Sequence, residues 1–219
     1  MKIGFLFDND GVLVDTSAFH WQSWQLLLDE EPSDFKMSKE AFLEGFGKRN
    51  ELILKTIVPH LHKRHVELAN RKEELFRQCA RGKVELLPGM EDFLKELKRR
   101  NIPRIIASST PIENLDMYLE STPLGDYFDH YVSGEEVENG KPAPDIFIEA
   151  AKRIEIPVEN CFVIEDAPVG VEAGKAAGCQ VIALGTTHPQ DALANSDYYY
   201  KDASQLNSFL KIIDEVSKK

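Results

Sequence analysis

The period of the hydrophobic pattern changes twice along this chain, and the changes divide it. Ile3, Phe5, Leu6 and Phe7 form a short apolar run that ends at Asp8-Asn9-Asp10-Gly11. A run of that length stopped by glycine predicts a buried strand. After Thr16 the spacing becomes helical: Phe19, Trp21, Trp24, Leu27 and Leu28 form a stripe that Phe42, Phe46, Leu52, Ile53 and Ile57 continue. A charged stretch from about Lys63 to Arg81, carrying Val66, Leu68, Leu75 and Phe76, predicts another helix. From Leu86 onward the two periods alternate. Helices are expected near Met90 to Arg100, Pro111 to Glu120, Pro144 to Ile154 and Val169 to Ala177, and strands at Ile102 to Ala107, Tyr131-Val132, Phe162 to Ile164 and Val181 to Leu184. A terminal helix carries Leu206, Phe209, Leu210, Ile213 and Val216. Such alternation predicts an α/β fold with a doubly wound parallel sheet, a Rossmann-like core, into which the all-α block is inserted as a cap. The expected division is core 1–15 and 85–219 and cap 16–84, with linkers near residues 14 to 17 and 80 to 88.

Composition limits the partners. At 219 residues the chain can bury a sizeable core with a modest insertion. Its net charge of -11 argues against a nucleic-acid partner, because no basic stripe is available to displace phosphate counterions. Cys79, Cys161 and Cys179 are odd in number and lie in helical or strand-like patterns, as reduced core cysteines of a cytoplasmic protein do. Asp8 breaks the N-terminal apolar run before it can act as a signal segment, and no run reaches transmembrane length, so no membrane association is expected.

The chemistry sits at strand ends. Asp8 and Asp10 close the first apolar run, where open α/β sheets place their ligand sites. Two neighbouring carboxylates repel, so both stay ionised only beside a cation, and hard oxygen donors suit Mg²⁺. A carboxylate is also a nucleophile toward phosphorus, with its neighbour available to carry the proton; an ordinary polar turn is the plain alternative. Ile105-Ile106-Ala107-Ser108-Ser109-Thr110 ends in hydroxyls before a helix, where they serve either as phosphate partners or as helix caps. Asn139-Gly140-Lys141-Pro142-Ala143-Pro144 holds one cation in stiffened backbone, which marks a positioned charge rather than a solvated lysine. Cys161-Phe162-Val163-Ile164-Glu165-Asp166 is a second apolar run ending in paired acids, and Gly170, Ala173, Gly174, Ala176, Ala177 and Gly178 follow at spacings that let a helix approach the sheet closely.

Taken in order, these four segments resemble the four motifs of the haloacid dehalogenase superfamily. Asp8, Asp10, Gly11, Val12, Leu13, Asp15 and Thr16 match its first motif, and the resemblance runs from about residue 3 to about residue 185. It implies that Asp8 is the nucleophile and Asp10 the general acid and base. Ser108, Lys141 and the Asn9 backbone N–H would hold the transferring phosphoryl group, and Mg²⁺ would be bound by Asp8, the Asp10 carbonyl and Asp166, with Glu165 as a further contact or behind them. In the cap, His20 and Trp24 lie one helical turn apart at positions that face the site in the superfamily's sugar-phosphate enzymes; plain helix packing is the alternative for both. Lys48, Arg49 and Lys72 are cationic candidates for the substrate's remaining oxygens, with a solvated face as the alternative for each. Ser109 and Thr110 complete the expected binding set.

The resemblance leaves the reaction to be argued from residues. Dehalogenases of this fold lack an acid at the Asp10 position, so phosphorus chemistry is expected. A silent regulatory relative is disfavoured because every acidic and basic group the chemistry needs is present. A β-phosphoglucomutase grips a distal phosphate with a cap arginine and a Ser-Lys-Asn segment after the second motif. Here the cap offers Lys48 and Arg49 and the segment reads Thr110-Pro111-Ile112. Losing two anchors would remove roughly 2 to 4 kcal/mol of charge-assisted hydrogen bonding, although His20, Trp24 and Lys72 match mutase positions. The expectation is a monomeric, Mg²⁺-dependent phosphatase acting on a small phosphorylated metabolite, a sugar phosphate first of all, with a phosphosugar mutase as the alternative.

Overall fold

In the computed structural model, which describes residues 2–31 and 36–216 with side chains as far as Lys211, six strands form one sheet. They are β1 Gly4–Phe7, β2 Arg104–Ser108, β3 Tyr131–Ser133, β4 Cys161–Glu165, β5 Gln180–Leu184 and β6 Tyr198–Tyr200. The order is β3-β2-β1-β4-β5-β6, and every pairing is parallel. From β1 the chain winds outward through β2 to β3, then crosses back to β4 on the other side of β1. That reversal opens a crevice at the carboxyl end of β1.

Alternation within the strands builds two apolar layers. Phe5, Phe7, Ile106, Phe162, Ile164, Ile182 and Leu184 face one side, against α5 (Met90–Arg99), α6 (Ile112–Ser121) and α9 (Leu206–Val216). Leu6, Ile105, Ala107, Val163, Val181 and Ala183 face the other, against α7 (Asp145–Arg153) and α8 (Pro168–Ala176). Gly174 lets α8 lie close to the sheet, since a Cβ there would stand 2.8 Å from Val181 Cγ2. Phe5 is the hub of the first layer: its ring stacks on Phe162 at 5.4 Å and meets Phe93 and Phe209 edge-on at 5.5 and 6.5 Å.

Between β1 and α5 lie α1 (Ser17–Glu30), α2 (Lys39–Gly45), α3 (Asn50–Ile57) and α4 (His65–Ala80). They gather a separate cluster around Trp24, Leu27, Phe42, Phe46, Ile53, Leu54, Leu68 and Leu75. The two linkers run side by side: Asp15 N–H donates to the Glu85 carbonyl at 3.1 Å and Leu87 N–H to the Leu13 carbonyl at 3.0 Å.

Two local expectations are revised, one strand was not foreseen, and one expectation lies outside the described side chains. The helical stripe expected through Phe42, Phe46 and Leu52 is broken between α2 and α3, where Gly47 takes φ +83° and turns the chain, and Leu52 is 37% exposed. The charged helix begins at His65 rather than Lys63, after a 3₁₀ stretch Pro59–Arg64, and Val66 points to solvent at 59% exposure. Strand β6 had no counterpart in the apolar pattern, because its three tyrosines are all half-buried instead of alternating. Ile213 and Val216 fall in α9 where side chains lie outside the described residues. The cysteines are buried and unpaired, as expected.

Because Phe5 touches aromatic rings from the sheet and from two helices, Phe5→Ala should lower unfolding free energy by about 3 to 5 kcal/mol. Urea titration followed by circular dichroism measures it; a loss under about 1 kcal/mol would show that this layer closes up without the ring.

Candidate active site

Strand ends deliver the acids. Asp8 N–H still bonds the Ile164 carbonyl at 3.0 Å, so Asp8 is held at the end of the β1 ladder beside Glu165 and Asp166 at the end of β4. Lys141, from the loop between β3 and α7, reaches into this junction. Its Nζ lies 2.6 Å from Asp8 Oδ1 and 2.6 Å from Glu165 Oε1, and stands 5.0 Å from the Phe147 ring centre. The ammonium is 1% exposed, so both carboxylates are needed to offset its desolvation.

One ammonium does not balance three acids. Asp8, Glu165 and Asp166 each place an oxygen within 4.8 Å of the others. Burial pushes the Asp8 carboxyl up to about 7, with Lys141 opposing the rise and Glu165 adding to it. Burial also drives Asp166 well above the usual carboxylate range, helped by Glu165 and Asp8. The Glu165 oxygens are engaged, Oε1 with Lys141 and Oε2 with the N–H groups of Asp166 and Ala167. Asp166 Oδ2 accepts from Thr187, while its Oδ1 is buried without a hydrogen-bond partner. Hard oxygens, excess negative charge and one orphaned carboxylate oxygen fit a divalent cation held by Asp8 and Asp166, with Glu165 behind them.

Asp10 is treated differently. Its carboxylate lies outside that acid cluster and accepts from Thr16 Oγ1 at 2.6 Å, Tyr118 Oη at 2.9 Å and Thr110 Oγ1 at 2.5 Å, with His20 Nε2 at 3.3 Å. Burial alone would raise its pKa, yet the hydrogen bonds from His20, Thr110 and Thr16 outweigh burial, and the group sits below the ordinary range. With its carboxylate so engaged, only the backbone carbonyl of Asp10 would remain for a cation. Thr16 and Tyr118 were absent from the candidates. Thr16 stands inside the first motif, whereas Tyr118 arrives from one face of α6 and carried no signal of its own.

Above the strand ends lies a cavity of about 340 Å³ walled by Asp8, Asp10, Ser108, Ser109 and Thr110 from the core and by cap residues that include Trp24 and Lys48. Ser108 Oγ lies 3.0 Å from Thr110 Oγ1, and Ser109 Oγ donates to the Gly47 carbonyl of the cap at 3.0 Å. Trp24 is buried in the cap cluster with an edge on the cavity. His20 stacks on Phe76 at 4.0 Å and Lys72 Nζ is 2.6 Å from His20 Nδ1. Lys72 is buried, not part of a solvated face. Arg49 lines the cavity, but its two terminal nitrogens donate to the carbonyls of Gly134, Val137 and Glu138, and its Nε is buried without a partner. Lys48 is half-buried on the same wall. Asn9 is the outlier among the candidates: neither polar atom of its buried side chain has a partner, while its carbonyl caps the turn over Val12, Leu13 and Val14.

These charges predict a pH dependence. With its pKa raised from 3.8 to about 7, Asp8 holds a proton in the folded chain that the unfolded chain has released, so between about pH 4 and about pH 7 stability falls as pH rises. Asp10, held low, stays ionised across that window. A divalent cation competes with the Asp8 proton. The rise in thermal midpoint on adding Mg²⁺ should therefore grow through the window and level off above it; a shift that is the same at each pH would remove the charge-excess argument.

Comparison with known proteins places this arrangement. Residues 5–184 match the model of the haloacid dehalogenase-like hydrolase family. The chain is 31% identical over 186 residues to a phosphorylated carbohydrates phosphatase of Thermotoga maritima, 84% of each chain being covered. It is 33% identical over 191 residues to a probable pseudouridine-5'-phosphatase of Drosophila melanogaster, covering 82% of this chain and 80% of that one. The crystal structure of a beta-phosphoglucomutase from Clostridium difficile superposes with a TM-score of 0.85 at 24% identity, all of both chains being covered, and shares its fold. With the strand order, the four motif segments and the Lys141 ion pairs in place, the chain belongs to the haloacid dehalogenase-like hydrolase family.

Proposed function

We propose that this protein is a Mg²⁺-dependent phosphatase that hydrolyses a small phosphorylated metabolite, in the first instance a sugar phosphate, through a phosphorylated Asp8. The observation that carries the reading is the opposed treatment of two neighbouring acids: Asp8 lies against Lys141 in the acid cluster, while Asp10 is oriented beside it by four side chains. Asp8 attacks phosphorus and the ester P–O bond breaks. The leaving oxygen takes a proton from Asp10, whose proton affinity rises when a phosphate dianion comes beside it. Water then gives a proton to Asp10 as it attacks the aspartyl phosphate, which frees inorganic phosphate and restores Asp8. Lys141 and the Ser108 hydroxyl offset charge on the phosphoryl oxygens. Asp8, the Asp10 carbonyl and Asp166 would hold Mg²⁺, which would supply further charge neutralisation. The relatives named as phosphatases support this reading.

A mutase needs a second grip for the far phosphate, and the wall opposite Asp8 is short of cations to supply it. The terminal nitrogens of Arg49 donate to backbone carbonyls and Lys72 is held by His20 and Glu73, which among the described residues leaves Lys48 on this wall. Pro111 lines the cavity with no donor, the Ile112 N–H is taken by Glu135 Oε2 at 3.1 Å, and Glu135 and Glu51 add negative charge to the wall. This favours a monophosphate whose far end is uncharged. Oligomeric state does not enter the mechanism, since every residue invoked comes from one chain; a monomer accords with that.

A panel of phosphorylated metabolites read by free phosphate should give turnover that falls below about one per cent in Asp8→Asn. Offered β-glucose 1-phosphate with a trace of the 1,6-bisphosphate, the protein should release inorganic phosphate faster than it forms glucose 6-phosphate. The joint replacement Pro111→Lys and Ile112→Asn should move the products toward glucose 6-phosphate. Isomerisation well ahead of phosphate release by the unmodified protein would assign it to the mutases.

A further inference from the structure

Beside the cavity a second polar cluster ties the cap to the core. Glu73 on α4 is 6% exposed, and its carboxylate accepts from Lys72 Nζ at 2.9 Å, Asn50 Nδ2 at 2.5 Å and Asn114 Nδ2 at 2.5 Å. The last bond crosses between the two units, because Asn114 lies on α6 of the core. Arg77, one turn further along α4, donates to Asn114 Oδ1 at 2.8 Å. A guanidinium only donates and a carboxylate only accepts, so the Asn114 amide has one orientation: oxygen toward Arg77, nitrogen toward Glu73. Neither Arg77 nor Asn114 lines the cavity.

The same donor arithmetic runs toward the acid. The Lys72 ammonium has only protons to give, and one of them is directed at His20 Nδ1. That nitrogen must accept, which puts the imidazole proton on Nε2, the atom 3.3 Å from Asp10 Oδ1. Lys72 is 1% exposed and faces the rings of Trp24 and Phe76 at 5.7 and 5.2 Å, surroundings that tolerate its charge only with a counterion. Glu73 is the carboxylate that pairs with it.

We propose that Glu73 is a positioning residue through which closure of the cap is registered at Asp10: the Asn114 bond fixes Glu73, Glu73 fixes Lys72, and Lys72 sets His20 to present an N–H, not a lone pair, to the acid. The proposal rests on Asp10 acting as the acid and base of a phosphatase. An open cap separates Glu73 from Asn114, and His20 is then free to change tautomer or turn away. The chemistry is thereby tied to the closed, water-poor state. Had the cluster only a stabilising role, weakening it would alter the thermal midpoint and KM and leave the His20 proton where it is.

The experiment uses the full chain labelled with ¹⁵N-histidine, in the variants Glu73→Gln and Asn114→Ala. Two-bond ¹H–¹⁵N spectra should show His20 protonated at Nε2 in the unmodified protein. In each folded variant they should show averaging between the two tautomers, with kcat lower by about tenfold or more and KM changed by less than about threefold. Glu73→Asp should recover part of kcat. Unchanged His20 resonances in a folded variant, or a loss confined to KM, overturns the proposal. Should Glu73→Gln fail to fold, Asn114→Ala decides alone, since it keeps both charges of the Lys72–Glu73 pair and removes only the bond that fixes Glu73 from the core. The spectra also separate the two ideas: an unmodified protein that hydrolyses no phosphate ester, yet whose His20 responds to Asn114→Ala, would overturn the phosphatase reading while supporting the coupling.

Discussion

A single ammonium holds the site together. Lys141 comes from 133 residues beyond Asp8 in the chain, yet its Nζ sits between an acid from the end of β1 and an acid from the end of β4. Parallel register puts those strand ends level, Phe7 opposite Ile164, so the next residues along each strand project their carboxylates into the same few ångströms. Without the lysine, two buried anions would face each other at low dielectric, an arrangement a fold does not sustain. The sheet order brings the acids together, and the cation makes their proximity tolerable. Everything above them, the hydroxyls at and after the end of β2 and the roof of cap helices, is arranged around a cluster of acids whose charge the lysine balances only in part.

The contrast between Asp8 and Asp10 shows how environment divides labour between identical side chains. Both are buried, and burial raises both. Asp8 has one cation for relief and two further acids nearby, and its pKa is pushed up to about 7. Asp10 is ringed by donors from the linker, the cap and two core segments, and stays ionised. An anion that is stabilised mainly by neutral donors is easily re-tuned by an incoming dianion, which suits the proton-carrying role proposed for Asp10.

Much of this was legible along the chain because it is local. An acid or hydroxyl at the end of an apolar run is visible in one dimension, and so are Lys141 between a glycine and two prolines and the small residues that let α8 approach the sheet. The strands and helices of the core were likewise set by periods that do not depend on partners. What escaped came from helix faces and loops. Tyr118, Glu73 and Asn114 sit in ordinary amphipathic patterns, and only the packing of α4 and α6 across the cap boundary gives them one another and Asp10. Arg49 read as a free cation because carbonyl oxygens, its actual partners, carry no sequence identity. β6 escaped because an edge strand with three like residues has no period to detect.

Most of the cap's large apolar side chains form a cluster distinct from the two that sandwich the sheet, while Phe76 and Ala80 of α4 join the layer beneath. Trp24, Phe42, Phe46 and Ile53 belong to that separate cluster and also shape the cavity wall. The apolar side chains that roof the cavity are thus packed largely apart from those that fix Asp8, Lys141 and Asp166. A lineage can remodel the roof, exchanging one large residue for another until a new metabolite fits, while the strand ends that perform the transfer remain in register. Selection for a new diet and selection for an intact catalyst then act on different parts of one chain. A fold partitioned in this way can diversify its substrates without reinventing its reaction.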